Sequence, residues 1–375
     1  MNDFSQCVPP HIRKLAETRQ SKPLNQSASS TKPIALNLNE NPFGPSPLAL
    51  KALEAAISNI HRYPEIHALD LHQEIAGFHG VNAEQVLVTA GATELLCMIA
   101  RVLLGPGLNA VTSACSFIVY KLATQVTEGK LIEVPTRDNA YDLDAIAKAI
   151  DAKTRIVFIS NPNNPTGTLA TPDEIDRFMA NVPDHILVVL DEAYGDFAAD
   201  FAQKHDVAYS RALDYVRADR NVILLKTFSK AHGLAGLRVG YGIGPARLIS
   251  VFAQVRSIFS VSSVAQAAAL AAVRDQEHIS RAIENNSEQS EVLIANLNEL
   301  GYSVPPTWAN FVYCDLGKDE DAGTLAERLQ AHGVVIQPLG LWGAPTAIRI
   351  SIGTPEQNRR FLDAFRRSSV IENTT

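Results

Sequence analysis

One lysine in the sequence is surrounded by residue types that can make its amine reactive. Lys230 follows an apolar run at residues 222–225 and the hydroxyl residues Thr227 and Ser229, and Arg238 comes shortly after it. A lysine amine forms a Schiff base with an aldehyde, and it becomes nucleophilic when its surroundings lower its pKa. Ser229 and Arg238 are suitable partners for an anion in the same place. The segment therefore predicts a site where an amine acts beside a bound anionic group.

Two further polar segments follow apolar runs of the same kind. Asp191 comes after residues 186–190, and burying it is costly unless a cation, such as a protonated ring nitrogen of a ligand, pairs with it. Residues 160–167 follow the run at 156–159 and contain three asparagines and two prolines, which rigidify the loop. An amide of this loop could donate to a ligand oxygen, and a tight turn is the alternative interpretation.

A third segment has the features of a phosphate cradle. After the apolar residues 86–88 comes Gly91, and a helix is predicted to begin near Ala92 and Thr93. Backbone N–H groups at the start of that helix, together with the Thr93 hydroxyl, would bind a phosphate. A glycine turn with a threonine cap is the commoner explanation when the segment is taken alone. The glycines at 240, 242 and 244 do not match a dinucleotide fingerprint, and we interpret that segment as a strand with close backbone packing.

The order of the elements indicates how these residues are brought together. The apolar runs alternate with segments of helical period, which predicts an α/β fold with a mainly parallel sheet covered by helices on both faces. Ligands bind at the carboxyl ends of the strands in such sheets, where the polar segments lie. From about residue 262 the pattern changes to a long helical stretch through Leu300 and then short strands, which predicts a second, smaller α+β domain. The polar segment 201–217 is predicted to be a surface insertion without a role.

Composition excludes several classes of protein. The 375 residues are 46% hydrophobic and 19% charged, which is too apolar for a disordered chain. The formal charge of 33 − 40 = −7 favours neither nucleic acid nor an anionic membrane as a partner. The four cysteines form no C-x-x-C pair and the ten histidines no H-E-x-x-H motif, so no metal site is expected. The first residues do not have the pattern of a signal peptide, and we expect a cytoplasmic protein.

Taken in order, the motifs resemble those of the fold-type-I aminotransferases that depend on pyridoxal 5′-phosphate (PLP), specifically the histidinol-phosphate aminotransferase group. The resemblance extends over nearly the whole chain. It is carried by Val8-Pro9-Pro10-His11-Ile12-Arg13-Lys14-Leu15, Leu38-Asn39-Glu40-Asn41-Pro42-Phe43-Gly44-Pro45, Arg62-Tyr63-Pro64, Ser116-Phe117-Ile118-Val119-Tyr120, Asn163-Asn164-Pro165-Thr166-Gly167, Asp191-Glu192-Ala193-Tyr194, Thr227-Phe228-Ser229-Lys230 and Ile348-Arg349-Ile350-Ser351.

The resemblance implies a role for each matching residue. Lys230 would form the internal aldimine and move the proton in a ping-pong amino transfer, and Asp191 would keep the pyridine nitrogen protonated. Asn164 and Tyr194 would bind the cofactor 3′-oxygen, and Phe117 would stack on its ring. The cofactor phosphate would be surrounded by Gly91, Ala92, Thr93, Thr227, Ser229 and Arg238.

The resemblance also implies how the substrate and a second subunit take part. Arg349 would bind the substrate carboxylate, and Asn39 and Gln337 would lie beside the substrate. Tyr63 would reach the cofactor phosphate of the neighbouring subunit, which implies a homodimer. The predicted division is an N-terminal arm at 1–32, a large PLP-binding domain at 48–265, and a small domain formed by 33–47 and 266–375. This is the aspartate-aminotransferase-like arrangement, with the large sheet in an α/β/α sandwich.

Two departures from the family pattern concern the substrate phosphate. Gln337 stands where the family has an arginine, in V-R-P-L, and Thr18 stands where it has the tyrosine of L-A-P-Y. Because a charged hydrogen bond contributes about 1.5 to 3 kcal/mol, these losses would weaken binding of a phosphate ester. We therefore predict that the amino donor is unphosphorylated, with an aromatic or apolar side chain. A PLP lyase similar to the threonine-phosphate decarboxylases and a non-catalytic PLP-binding protein are the alternatives.

Overall fold

The computed structural model describes residues 7–18, 33–318 and 320–368, with the backbone alone at residues 14 and 16–18. The helices in these ranges are α1 Pro10–Thr18, α2 Pro47–Ala56, α3 Leu69–His79, α4 Ala92–Leu103, α5 Ile118–Val126, α6 Leu143–Ala149, α7 Pro172–Met179, α8 Gly195–Lys204, α9 Ala212–Arg217, α10 Ala246–Val255, α11 Ser263–Arg274, α12 Gln276–Glu299, α13 Ala322–Ala331 and α14 Pro355–Ser368. The strands are β1 Ile34–Ala35, β2 Val86–Thr89, β3 Asn109–Ser113, β4 Lys130–Val134, β5 Thr154–Ser160, β6 Leu187–Asp191, β7 Val222–Thr227, β8 Gly240–Ile243, β9 Phe311–Asp315, β10 Val334–Val335, β11 Gln337–Pro338 and β12 Ala347–Ser351.

Seven strands form one sheet in the order β2-β8-β7-β6-β5-β3-β4. Only β8 runs antiparallel to its neighbours in this sheet, which confirms the predicted mainly parallel α/β fold. Helices cover both faces, because the central strands are apolar on both sides. Val157 and Val188 pack with α3, α6, α7 and α11 on one face, and Phe158 and Val189 pack with α4, α5 and α10 on the other.

The register of the parallel strands β5, β6 and β7 brings polar residues together at the carboxyl ends of these strands. Ser160 at the end of β5 pairs with Asp191 at the end of β6, and Asp191 pairs with Leu225 of β7. The chain then leaves β7 at Thr227 and continues toward Lys230. Because these strands all run in the same direction, the predicted chemistry meets where they end.

A second core lies beside the first and is built from both ends of the described chain. It contains an antiparallel sheet of order β11-β12-β9 and a parallel pair of β1 with β10. Their apolar side chains pack with those of α12, α13 and α14. This agrees with the predicted smaller α+β unit, although the predicted single helical stretch is two helices that separate at Asp275.

Asp275 joins the two places where the chain passes between the cores. Its carboxylate caps the start of α12 by accepting from the His278 N–H at 3.3 Å, and it accepts from the Ser46 hydroxyl at 2.5 Å and the Leu48 N–H at 3.3 Å. Helix α11, before this point, packs with α2 and α3 in the larger core through residues such as Ala268. We therefore propose to end the larger domain after Arg274 rather than at residue 265. The rest of the domain division stays a prediction.

The segment 201–217, predicted to be a surface insertion, lies only partly at the surface. Residues 203–208, 210 and 211 are exposed, whereas helices α8 and α9 bury Phe201 and Val216. Tyr209 and Ser210 also form hydrogen bonds with the buried residues Asn161 and Glu192. The glycine-rich segment is strand β8 as predicted, and an added Cβ at Gly242 would lie 2.5 Å from Leu95 Cδ2. None of the helices in the described ranges is long and apolar enough to cross a membrane.

Candidate active site

A cavity of about 430 Å³ opens at the ends of β5, β6 and β7, between the two cores. The predicted site residues that line it are Asn39, Ala92, Thr93, Phe117, Asn164, Asp191, Tyr194, Thr227, Ser229, Lys230, Arg238, Gln337 and Arg349. Leu38, Glu40, Ser160 and Trp342 also line it and were not predicted as site residues. Leu38, Glu40 and Ser160 belong to motifs described above, whereas nothing in the local sequence of Trp342 distinguishes it.

Lys230 is one of the residues that line this cavity. Its Nζ donates to the backbone oxygen of Leu38 at 2.9 Å and lies 5.6 Å from the centre of the Tyr194 ring. Burial lowers the pKa of Lys230 to about 7, with a further contribution from the charge of Arg349, while Glu40 opposes the change. A large fraction of this amine is therefore neutral at neutral pH, as a nucleophile requires.

The depressed pKa of Lys230 predicts unusual reactivity toward amine reagents. Trace labelling of the cofactor-free protein with acetic anhydride should modify Lys230 with a midpoint near pH 7, because only the neutral amine reacts. Ordinary lysines should show a midpoint near 10.4. Peptide mass spectrometry across pH 5 to 11 measures both. A Lys230 midpoint above about 10 would contradict the electrostatic description of the cavity.

Asp191 ends β6 as a buried carboxylate facing the cavity. One oxygen accepts from the Tyr120 hydroxyl at 2.9 Å, and the other accepts from the Ala193 N–H at 3.2 Å. Burial raises the pKa of Asp191 to about 6, although both hydrogen bonds oppose this. Within the described part of the chain, no lysine, arginine or histidine forms a salt bridge with it. A cationic group on a bound ligand would supply the missing partner.

Tyr120 is a residue of the site that sequence reasoning missed. Its ring is fully buried, stacks on Phe158 at 4.7 Å between ring centres, and meets Phe117 edge to face at 5.6 Å. It therefore contacts both the aromatic wall of the cavity and Asp191. The available signal was its position three residues after Phe117 at the start of α5, which places both on one side of the helix.

Two asparagines and an arginine surround the Tyr194 hydroxyl. That oxygen accepts from Asn39 Nδ2 at 3.0 Å and from Asn164 Nδ2 at 3.1 Å. Asn164 in turn accepts from Arg349 Nη1 at 2.5 Å, and Arg349 Nη2 donates to the backbone oxygen of Asn37 at 2.6 Å. The Nε of Arg349 is buried without a hydrogen-bond partner. Nη1 and Nη2 each carry a second N–H beyond these hydrogen bonds, and Arg349 lines the cavity, so its guanidinium could bind an anionic ligand there.

The opposite end of the cavity has the geometry of an anion site. Helix α4 begins at Ala92, and Gly91 before it has φ 82°. This positive φ favours glycine, and an added Cβ at Gly91 would lie 2.6 Å from Arg238 Nη2, so a side chain here would displace the guanidinium. The hydroxyls of Thr227 and Ser229 lie together at 3.0 Å. A helix N-terminus, two hydroxyls and a guanidinium thus lie at one end of the cavity, which suits a phosphate.

The remaining predicted residues lie at the edge of the cavity or outside it. Gln337 pairs with Arg349 across β11 and β12, and its amide nitrogen donates to the backbone oxygen of Pro338 at 2.9 Å. The side chain of Thr18 lies outside the described residues. Tyr63 does not line this cavity, and its 82% exposed ring stacks on Phe259 at 4.5 Å.

Comparison with known proteins places this arrangement in a family. Residues 31–365 match the family described as aminotransferase class I and II. The chain is 39% identical over 370 residues to histidinol-phosphate aminotransferase 2 of Pseudomonas aeruginosa, covering 97% of this chain and 98% of the relative. It is 42% identical over 334 residues to the histidinol-phosphate aminotransferase of Moorella thermoacetica, covering 89% and 84% of the two chains.

A solved structure agrees with these relatives. The crystal structure of histidinol-phosphate aminotransferase from Sinorhizobium meliloti in complex with pyridoxal-5′-phosphate matches with a TM-score of 0.86 and 27% identity, covering 100% of this chain and 98% of that one. These relatives do not favour the lyase or the non-catalytic alternative. The chain therefore belongs to the aminotransferase class I and II family and is a PLP-dependent aminotransferase of fold type I.

Proposed function

We propose that this aminotransferase takes its amino group from an unphosphorylated amino acid with an aromatic or apolar side chain and passes it to a 2-oxo acid. The observation that carries the proposal is the neutral amide of Gln337 in the cavity wall beside Arg349. Among the described residues that line the cavity, the cations are Lys230, Arg238 and Arg349. Lys230 and Arg238 are assigned below to the cofactor, and Arg349 to the carboxylate of an amino-acid donor.

The residues of the cavity fit PLP on three grounds. The α4 N-terminus with Thr93, Thr227, Ser229 and Arg238 suits its phosphate, and Gly91 leaves the room that a side chain would fill. Asp191 is buried, and no basic side chain among the described residues forms a salt bridge with it, so it suits the pyridine nitrogen. When bound, PLP supplies an aldehyde for amines and a ring that accepts electrons from the donor α carbon.

The protein residues supply binding, orientation and proton movement. Lys230 Nζ would accept the proton that leaves the donor α carbon and return it, since its pKa of about 7 suits both directions. Arg349, fixed by Asn164 and the Asn37 carbonyl, would bind the donor carboxylate. Phe117 would stack on the face of the cofactor ring, and Tyr194 would bind at its edge, so the two together would restrict the movement of the ring.

The names of the relatives support histidinol phosphate as a second candidate donor. Comparing kcat/KM for histidinol phosphate, histidinol, phenylalanine and leucine with one 2-oxo acid separates the two proposals. We expect an unphosphorylated donor to be best. Faster turnover of histidinol phosphate than of every unphosphorylated donor would refute the first proposal while leaving aminotransferase activity intact.

The variant Gln337→Arg tests the reason for the preference. Restoring a guanidinium in the cavity wall should raise kcat/KM for histidinol phosphate by about ten- to a hundredfold, because a charged hydrogen bond contributes about 1.5 to 3 kcal/mol. The kcat/KM for phenylalanine should not rise. Gln337→Met serves as the matched control, since it keeps the wall neutral. An equal gain in both variants would show that charge is not the cause.

We infer that the enzyme is a homodimer in which Tyr63 completes the site of the neighbouring subunit. The support is the exposure of an aromatic pair, Tyr63 and Phe259, with Ile60 and Ile258 also exposed on the same segments. Such apolar surface is typical of an interface. Mixing inactive Tyr63→Ala and Lys230→Ala chains should restore activity, because half of the hybrid sites would be intact. Monomeric mass in sedimentation equilibrium would contradict the dimer.

A further inference from the structure

A partly buried layer of polar side chains lies at the ends of β6 and β7, on the side that faces away from the active-site cavity. Neighbouring residues of a strand point to opposite faces, so Glu192 and Lys226 face away from the cavity that Asp191 and Thr227 line. Glu192 Oε2 and Lys226 Nζ lie 3.4 Å apart, with side-chain exposures of 6% and 16%. A buried ion pair is often no more stabilising than apolar residues of the same size. Stability alone is therefore a weak explanation for it.

The connection between α8 and α9 completes this layer with two hydroxyl groups. The Ser210 hydroxyl donates to Oε1 of Glu192, and the Tyr209 hydroxyl donates to the backbone oxygen of Asn161 at 2.8 Å. These groups converge because Gly195 has no side chain. An added Cβ there would lie 2.9 Å from Lys226 Nζ and 3.0 Å from the Tyr209 hydroxyl.

The layer joins the ends of the three strands that carry the site. Asn161 follows β5, Glu192 follows β6, and Lys226 belongs to β7. The Asn161 N–H also donates to the backbone oxygen of Asp191 at 2.8 Å. Three residues after Asn161 the same loop presents Asn164, the hydrogen-bond partner of Arg349. The hydrogen bond on Asn161 and the acceptor that orients this arginine are therefore parts of one short loop.

We propose that Tyr209 and Ser210 are positioning residues for amino transfer, which hold the ends of β5 and β6 so that Asn164 and Asp191 meet the substrate and the cofactor. Tyr209 acts through the Asn161 carbonyl on the asparagine loop. Ser210 acts through Glu192 on the neighbouring Asp191. The inference rests on the roles proposed above for Asn164, Asp191 and Arg349, and it does not depend on which donor is preferred.

The variant Tyr209→Phe removes one hydroxyl and keeps the ring. We expect the KM for the best donor of the wild-type holoenzyme to rise about three- to tenfold, the range that loss of one hydrogen bond to a positioned loop can produce. The fall in kcat should be smaller, because Lys230 and its own contacts are untouched. The matched control is Tyr215→Phe in the same segment, whose hydroxyl donates to Asp176 on α7 away from the cavity.

The two variants separate positioning from stability. Both should lower the melting temperature to a similar extent, and only Tyr209→Phe should raise the KM. A wild-type KM in Tyr209→Phe, or an equal rise in Tyr215→Phe, would overturn the proposal for Tyr209. The test of Tyr209 uses whichever donor the wild-type enzyme prefers. It can therefore be carried out, and can fail, whether or not the proposed preference for an unphosphorylated donor is correct.

Ser210 provides a second test with a readout other than turnover. Ser210→Ala should weaken the affinity of the cofactor-free protein for PLP about three- to tenfold, and Ser210→Thr, which restores a hydroxyl, should recover most of it. Equilibrium titration by fluorescence measures this binding. Unchanged affinity in Ser210→Ala would overturn the role of Ser210, as would failure of the threonine variant to recover affinity while folding normally.

Discussion

Replacing Lys230 with alanine will reduce the rate of amino transfer by at least about 10³-fold and will abolish covalent retention of PLP. A positioned proton-transfer group contributes about 10²- to 10⁴-fold by itself, and Lys230 is also the nucleophile of the cavity. The depressed pKa of Lys230 follows from burial and from Arg349, and no other described lysine lines the same cavity. Single-turnover kinetics with the best donor measures the rate.

Reduction with borohydride followed by mass spectrometry locates the attached cofactor. The wild-type chain should carry it on the peptide that contains Lys230, and the alanine variant should carry none. Lys121→Ala is a suitable control, because that lysine is exposed and forms a surface ion pair with Glu133 that contributes little to stability. Covalent cofactor in the Lys230→Ala variant would show that another amine performs this role.

The second large effect is expected for Asp191→Asn. The amide keeps the shape of the carboxyl group and loses its charge, so the pyridine nitrogen would no longer face an anion. Removing one preorganised electrostatic partner at an active site typically lowers kcat about 10²- to 10³-fold. We expect a loss in this range, together with weaker PLP binding. Stopped-flow measurement of a single turnover gives the first quantity and equilibrium titration the second.

The pH dependence of PLP binding gives a further check on Asp191. The pKa of Asp191 is raised to about 6, so the group is an anion above that pH and neutral below it. The affinity difference between wild type and Asp191→Asn should therefore be full at pH 8 and should shrink as pH falls through about 6. Comparing the two proteins cancels the titrations of groups that do not interact with residue 191. A difference that stays constant from pH 5 to 8 would refute the assignment of Asp191.

The central strands were predictable because their side chains are apolar on both faces. Strands β3 and β4 of the same sheet could not be predicted from the sequence. Strand β3 contains Asn109, Thr112 and Ser113, which are buried because partners outside the strand's local sequence, including the Phe158 carbonyl and Asp151, satisfy them. Strand β4 lies at the sheet edge and exposes Lys130. Neither strand has the continuous apolar pattern that identifies a buried strand.

In the candidate site, too, residues in local motifs were predictable and residues placed by distant partners were not. Lys230, Asp191 and Asn164 were predictable, because each belongs to a short ordered motif at the end of a strand. Tyr120 and Tyr209 were not assigned roles, because their hydrogen bonds join segments that are distant in the sequence. The segment that contains Tyr209 is polar, as a surface insertion would be, although Tyr209 and Ser210 bind buried partners. Polarity alone does not distinguish a solvated hydroxyl from one that is satisfied inside the protein.

Asp275 has a mechanical consequence for the two halves of the molecule. The two chain passages between the cores, near Ser46 and at Asp275 itself, are joined by one carboxylate. Displacing one core relative to the other would strain the hydrogen bonds of this carboxylate to Ser46 and Leu48. Lys230 belongs to the larger core and Arg349 to the smaller one, and both line the cavity. The carboxylate therefore helps to fix the distance between these two cations, although it lies outside the cavity.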